Sequence, residues 1–169
     1  MMRWMAALVP ALLLLAGCGG QGSAAGGPDM ALLMADAPAA TLADYGFFKD
    51  AAADQPADGV VPYDLINPLF SDHAIKHRFV FVPRGKAASY SPDRVMDFPV
   101  GSALIKTFAF APDLRAPGVK EYKVETRVLI HKKDGWAAFP YVWNAEGTEA
   151  TYAPAGGHEP ISVIDPSGA

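Results

Sequence analysis

Alternation of apolar and polar side chains is clearest in the middle of the chain, between residues 95 and 143. A period of two runs through 104–110, and the same period runs through 124–131 and 136–143. Such alternation of branched and aromatic residues is typical of half-buried β-strands. The pair Asp134-Gly135 predicts a hairpin turn, because glycine adopts positive φ without a steric cost.

Shorter patterned runs flank this segment. Phe79–Val82, 93–98 and Thr148–Tyr152 are each predicted to form a strand. Thr41-Leu42-Ala43-Asp44 resembles a helix N-cap followed by an acid in the first turn. Two prolines make 59–70 extended without being a central strand, because proline lacks a backbone donor. The predicted fold is mainly β: an antiparallel β-sandwich or partly open barrel with one or two short helices.

The N-terminus has the pattern of a targeting segment. Arg3 provides a positive charge, 4–15 is apolar, and Leu15-Ala16-Gly17-Cys18 resembles the bacterial lipobox. We therefore predict a lipoprotein signal peptide over 1–17 and lipidation of Cys18, with the acyl chains holding the protein to the membrane. The alternative is an ordinary secretory signal with an incidental cysteine. Gly19, rather than an aspartate, favours the periplasmic face of the outer membrane of a Gram-negative bacterium.

Composition then divides the rest of the chain. Residues 18–40 are rich in Gly, Ala, Ser and Pro, which predicts a flexible tether. Ala31–Met34 within it is interpreted as a few apolar residues of that tether rather than as a helical turn. The β domain is predicted over 41–152, and a loosely ordered tail over 153–169.

Charge and cysteine content restrict the classes of partner and cofactor that fit this chain. The 169 residues carry a net charge of −4 and show no basic patch, which argues against nucleic acid as a partner. Cys18 is the only cysteine, so an intrachain disulfide is impossible and a c-type haem cannot attach through Cys-x-x-Cys-His. We expect no cofactor in this chain.

Two groups of polar residues are candidates for a site. His73 and His77 are four residues apart and would share one face of a strand or helix, as metal ligands do, but a third ligand is not evident, and two solvated residues are the simpler interpretation. Glu125 and Arg127 point the same way, with Lys106 on the neighbouring strand and His131 beside the hairpin turn. These four residues form a candidate ligand or partner face, although such side chains are more often an ordinary solvated sheet surface. Motifs of a catalytic nucleophile are missing, so no catalytic residue is predicted.

A series of short motifs resembles an uncharacterised family of bacterial lipoproteins and exported proteins. Longer members of that family carry this β module before a c-type cytochrome segment, and related modules occur beside quinoprotein-like dehydrogenase domains. The resemblance covers about Leu42 to Tyr152, and the chain departs from it by ending at Ala169 without the haem-binding segment and by carrying His73 where the family has an aromatic residue. The motifs, in chain order, are Asp44-Tyr45-Gly46-Phe47-Phe48, Val61-Pro62-Tyr63-Asp64-Leu65, Pro68-Leu69-Phe70-Ser71-Asp72, Phe98-Pro99-Val100-Gly101, Ile105-Lys106-Thr107-Phe108, Glu125-Thr126-Arg127, Gly135-Trp136 and Tyr141-Val142-Trp143-Asn144.

The resemblance implies an envelope module that works near electron-transfer proteins, and it carries over no catalytic residues. The leading hypothesis is a non-catalytic β module, anchored through Cys18, that docks a periplasmic cytochrome or dehydrogenase. One alternative is a metal- or haem-binding redox protein or enzyme that uses His73 and His77. Another is a shortened remnant of a cytochrome-bearing lipoprotein.

Overall fold

A computed structural model describes residues 26–52, 54–158 and 160–167 and confirms the predicted, mainly β fold. The described residues form one short α-helix, one 3₁₀ turn and ten strands. The signal peptide and Cys18 lie outside the described residues. The elements are α1 (Met30–Met34), the 3₁₀ turn (Ala43–Tyr45), β1 (Phe48–Asp50), β2 (Gln55–Pro56), β3 (Val60–Pro62), β4 (Ile75–Phe81), β5 (Ser89–Ser91), β6 (Arg94–Asp97), β7 (Ala103–Phe110), β8 (Tyr122–Lys132), β9 (Gly135–Trp143) and β10 (Ala150–Tyr152).

The main sheet contains six antiparallel strands in the order β10-β9-β8-β7-β4-β3. Its edges, β3 and β10, do not pair with each other in the described part of the chain, so the sheet is not a closed barrel. The hairpins β1–β2 and β5–β6 form two smaller sheets. The turn between β8 and β9 falls where Asp134-Gly135 predicts it, with Gly135 at φ 120°.

One face of the sheet, here called the inner face, forms the core. Alternate residues of β7 are buried, as the period of two predicts. A small layer made of α1, the 3₁₀ turn and β1 covers this face: Tyr45 and Phe47 are fully buried, and the Phe48 ring meets the Phe79 ring edge-on at 5.0 Å. Two layers packed over one core are consistent with a β-sandwich whose second layer is small.

Two buried tyrosines attach the N-terminal segment to the sheet. The Tyr141 hydroxyl on β9 donates to the Ala39 carbonyl at 2.9 Å, and the Ala39 N–H donates to the Tyr45 hydroxyl at 3.1 Å. The two hydroxyl oxygens are 3.1 Å apart. Burial, followed by the contact with Tyr45, raises the pKa of Tyr141 far above its ordinary value. These bonds satisfy polar groups that are out of reach of water.

The tether predicted over 18–40 is wrong from Gly26 onward. α1 lies inside that range, and Leu33 is completely buried in the core. The Asp29 carboxylate caps the helix start by accepting from the Ala31 N–H at 2.8 Å. The tether was predicted from composition alone, and composition does not show that the apolar inner face of the sheet is buried by this segment. The helix predicted to begin near Thr41 is a single 3₁₀ turn that ends at Gly46, where φ is 68°.

The two ends of the main sheet differ and are named here. The hairpin end contains the β8–β9 turn, and Phe81, Ala103 and Ile130 lie there in register. The loop end contains the β3–β4, β7–β8 and β9–β10 connections. The tail returns to the loop end, because the Ile164 N–H donates to the Pro112 carbonyl at 2.9 Å.

Candidate functional site

Three cations cross the outer face of the sheet in a single row. Arg78 on β4 is opposite Lys106 on β7, and Lys106 is opposite Arg127 on β8. Residues opposite each other on antiparallel strands have Cβ atoms about 5 Å apart, so the three side chains begin as neighbours. The structure therefore brings together Lys106 and Arg127, which the alternation had placed on adjacent strands.

Phe108 lies between two of these cations. The Lys106 ammonium is 4.8 Å from the centre of its ring, and the Arg127 guanidinium is 4.9 Å from it. Glu125, which is opposite Phe108, accepts from Arg127 Nε at 2.5 Å and from Nη2 at 3.2 Å. Aromatic residues and arginine are both enriched in protein interfaces, and here they are in contact.

Sequence patterning missed Arg78. Its side chain is buried although it lies on the outer face, and it donates to the Asp64 carboxylate at 2.8 Å and to the Lys76 carbonyl at 3.2 Å. Asp64 lies in the β3–β4 loop and is largely exposed. The available signal was the alternation of Arg78 with His77 and Phe79 on β4.

Lys106 is the uncompensated charge of the row. Within the described part of the chain it has neither a hydrogen bond nor a carboxylate within salt-bridge distance. Partial burial lowers the pKa of Lys106, and the nearby Arg127, Arg78 and Lys76 lower it further, while Glu125 partly offsets them. The row thus holds an excess of positive charge that an anionic group on a partner would relieve.

The depressed pKa of Lys106 has a consequence for stability. The unfolded state holds the lysine proton more tightly, so stability rises with pH up to the ordinary lysine value of 10.5. We expect Lys106→Met to stabilise the protein at pH 7 by less than about 1 kcal/mol, since Lys106 keeps much of its solvation. Urea unfolding at pH 7 and above pH 10.5 should show this gain shrinking as pH rises. The control Lys133→Met, in the β8–β9 turn, should change little, and a loss of stability in Lys106→Met at pH 7 would contradict the argument.

An exposed apolar loop borders the cationic row. The β3–β4 loop (Tyr63–Ala74) forms one wall of a cavity of about 430 Å³, and Lys76 and Arg78 form the other. The Lys76 ammonium donates to the Leu69 carbonyl at 2.6 Å, which ties the loop to β4. Ile66 is 98% exposed and Leu69 is 80% exposed. The large apolar residues that the β3–β4 loop exposes are Tyr63, Leu65, Ile66, Leu69 and Phe70.

His131 occupies the outer face but lies at the hairpin end rather than within the row. Its Nδ1 is 2.6 Å from the Phe98 carbonyl oxygen, so Nδ1 carries the proton that is donated. Its ring stacks on Trp136 with centres 4.8 Å apart and an angle of 9° between the planes. The residue is half-buried.

His73 and His77, considered as metal candidates, do not share one face. His77 lies on the inner side of β4, where Nε2 is 2.5 Å from the Glu121 carboxylate, and Lys123 pairs with Asp54 at 2.8 Å beside it. His73 precedes the strand in a turn with φ 64°, so the alternation of β4 does not extend to it. Among the described residues, no group of three or more histidine, cysteine or acidic side chains is arranged to hold a metal ion.

A second, larger cavity lies at the loop end. It has a volume of about 1020 Å³, and the start of β8, the β9–β10 turn and the tail enclose it. Its charged lining has both signs, with Lys120, Glu121, Lys123 and Glu146 among the contributors. With Glu125 included, two lysines face three glutamates, so this cavity lacks the positive excess of the outer-face row.

Comparisons of the chain with protein-family models, with curated proteins and with solved structures return no match. The resemblance to the lipoprotein family stays a prediction. In the part of the chain that the structure describes, no helix is long and apolar enough to cross a membrane.

Proposed function

We propose that this protein is a non-catalytic module of the cell envelope, anchored by lipid on Cys18, that docks an acidic electron-transfer protein of the periplasm. A cytochrome or a dehydrogenase is the expected class of partner. The observation that carries the proposal is the row Arg78–Lys106–Arg127, whose central cation has no carboxylate within salt-bridge distance among the residues that the structure describes. The lipobox-like sequence at Leu15–Cys18 supports the anchor.

The docking surface consists of the cationic row, Phe108 and the β3–β4 loop. It combines the exposed apolar side chains of the loop with the exposed Arg127 and the half-buried Lys106, while Arg78 lies buried beside them. Aromatic residues and arginine are the types that contribute most to binding at protein interfaces. The charges would set orientation and association rate, while the loop supplies apolar area to be buried. An acidic patch on the partner is the chemistry that fits.

The contacts of His73 and His77 are those of structural residues, which argues against a redox or catalytic role for them. His77, Glu121, Asp54 and Lys123 are paired with one another, which is what a structural cluster needs. His73 packs edge-on against Phe70, with ring centres 5.2 Å apart, and belongs to the wall of the smaller cavity. These two histidines therefore have no chemical role in the proposed function.

Site-specific crosslinking in living cells tests the proposal. Replacing Ile66 with the photoreactive residue p-benzoylphenylalanine puts the probe at the most exposed point of the docking surface. On irradiation we expect a product that mass spectrometry identifies as an acidic cytochrome or dehydrogenase. The matched control has the same replacement at Val95, which is 92% exposed in the β5–β6 hairpin. Equal yields from both positions, or a partner of another class, would contradict the docking surface.

A further inference from the structure

The β5–β6 hairpin exposes apolar side chains at the hairpin end of the sheet. Val95 is almost fully exposed, Tyr90 is largely exposed, and Met96 and Val100 are about half exposed. All four residues of β6 are exposed, and among the described residues only β5 pairs with it. The fold does not use these side chains for its own core.

The base of the hairpin is held in place. The Phe98 ring meets the Trp136 ring edge-on with centres 6.2 Å apart, and the Phe98 carbonyl accepts the hydrogen bond from His131. Trp136 itself is 43% exposed beside this contact. Tryptophan and tyrosine are the residues enriched where a protein meets the headgroup region of a bilayer, because each combines an apolar ring with a polar group.

The described chain also begins at this end. The Gly26 carbonyl accepts from the Asp58 N–H at 2.8 Å, and Asp58 precedes β3, whose Val60 pairs with Phe81 at the hairpin end. The chain from Cys18 to Gly26 spans at most about 28 Å when fully extended. β8, with 11 residues, is about 36 Å long. An acyl group on Cys18 would therefore hold the hairpin end near the bilayer, and the loop end would stand away from it.

Charge at the hairpin end agrees with this orientation. Residues 82–101 and 131–135 together carry five lysines and arginines against three aspartates, while Asp36 and Asp58 at the same end lie beside Lys132 and Lys49. Basic residues beside exposed apolar side chains favour an anionic phospholipid surface.

We infer that the β5–β6 hairpin and Trp136 form a second membrane contact, which inserts into the headgroup region of the bilayer and orients the docking surface away from it. The inference rests on the proposed anchor at Cys18. It assigns the exposed apolar residues of the hairpin end to lipid and those of the loop end to the protein partner. The contact is an interfacial one, since the hairpin is too short to span a bilayer.

Quenching of tryptophan fluorescence by brominated lipid tests the inference. The mature lipoprotein would be reconstituted in vesicles of phosphatidylethanolamine and phosphatidylglycerol with brominated acyl chains. After removal of residues 1–17, Trp136 and Trp143 are the remaining tryptophans, and Trp143 is buried. We expect quenching in the wild type that disappears in Trp136→Phe and is strongly reduced in Val95→Asp. The matched control Ile66→Asp, at the loop end, should keep the wild-type quenching.

Intact mass of the reconstituted protein separates the two ways of failing. A protein that carries the acyl groups on Cys18 and yet shows no quenching of Trp136 overturns the membrane contact while leaving the anchor standing. Equal loss of quenching in Val95→Asp and Ile66→Asp also overturns it. A mature protein without acyl groups overturns the proposed anchor and this inference together.

Discussion

Replacing Leu33 with alanine is expected to lower the free energy of unfolding by about 2–5 kcal/mol. Leu33 lies in α1 and has no exposed surface, and it belongs to the same core cluster as Tyr45 and Ile130. Its truncation removes buried apolar area and leaves a cavity, because the sheet beneath it cannot collapse to fill the space. An effect of this size is a large fraction of the stability of a domain this small.

Urea unfolding of the purified protein measures the change, and the matched control is Leu69→Ala. Leu69 is the same residue type, is largely exposed in the β3–β4 loop, and should alter stability by less than about 0.5 kcal/mol. If 26–40 were a tether, both variants would unfold at the wild-type urea concentration. Equal midpoints for Leu33→Ala and the wild type would therefore contradict the packed N-terminal layer.

The central strands could be predicted from sequence because their signal is strong and local. β7 alternates strictly, β8 alternates over Thr126–Ile130, β9 buries Tyr141 and Trp143 on one face, and the turn between β8 and β9 contains Asp134-Gly135. A period of two on a sheet with one buried face fixes both the strand and its orientation. The prediction that Glu125, Arg127 and Lys106 lie on one face follows from the same rule and agrees with the structure.

The N-terminal layer could not be predicted, because its structure depends on tertiary contacts with the sheet. Residues 26–40 are rich in small residues, and nothing in their local pattern shows that Leu33 fills the space over the inner face. The backbone contacts that hold the layer come from distant residues: Lys132 donates to the Leu33 and Ala35 carbonyls at 2.7 and 2.6 Å. A helix of five residues is too short to be stable by propensity alone, so packing decides it.

The candidate site was predicted only in part, again because tertiary contacts complete it. The row becomes complete only when β4 pairs with β7, and the alternation within one strand does not predict which strand is its neighbour. Arg78 was therefore missed. The His73–His77 pair failed because spacing of four residues places two side chains on one face only when both lie in the same element, and β4 begins after His73.

Reversing the charge of Lys106 is expected to weaken binding of the partner by at least about tenfold. Lys106→Glu changes the centre of the row by two units of charge, and the new carboxylate would repel the acidic group of the partner that Lys106 is proposed to bind. The fold should tolerate the change, since Lys106 lies on the outer face and a carboxylate there gains cationic neighbours. The effect should shrink at high salt, because interactions between exposed charges are screened.

The proposed docking is tested most directly by the dissociation constant of the protein from Cys18 onward, carrying the proposed lipid anchor and held in nanodiscs, for acidic c-type cytochromes of the same organism. Lys133→Glu in the β8–β9 turn changes the net charge equally and is the matched control. We expect salt-sensitive binding of an acidic cytochrome that Lys106→Glu abolishes or weakens and Lys133→Glu preserves, with weak binding of a basic cytochrome. Equal affinities of the two variants, or tighter binding of the basic cytochrome, would contradict the assignment of the outer face as the docking surface.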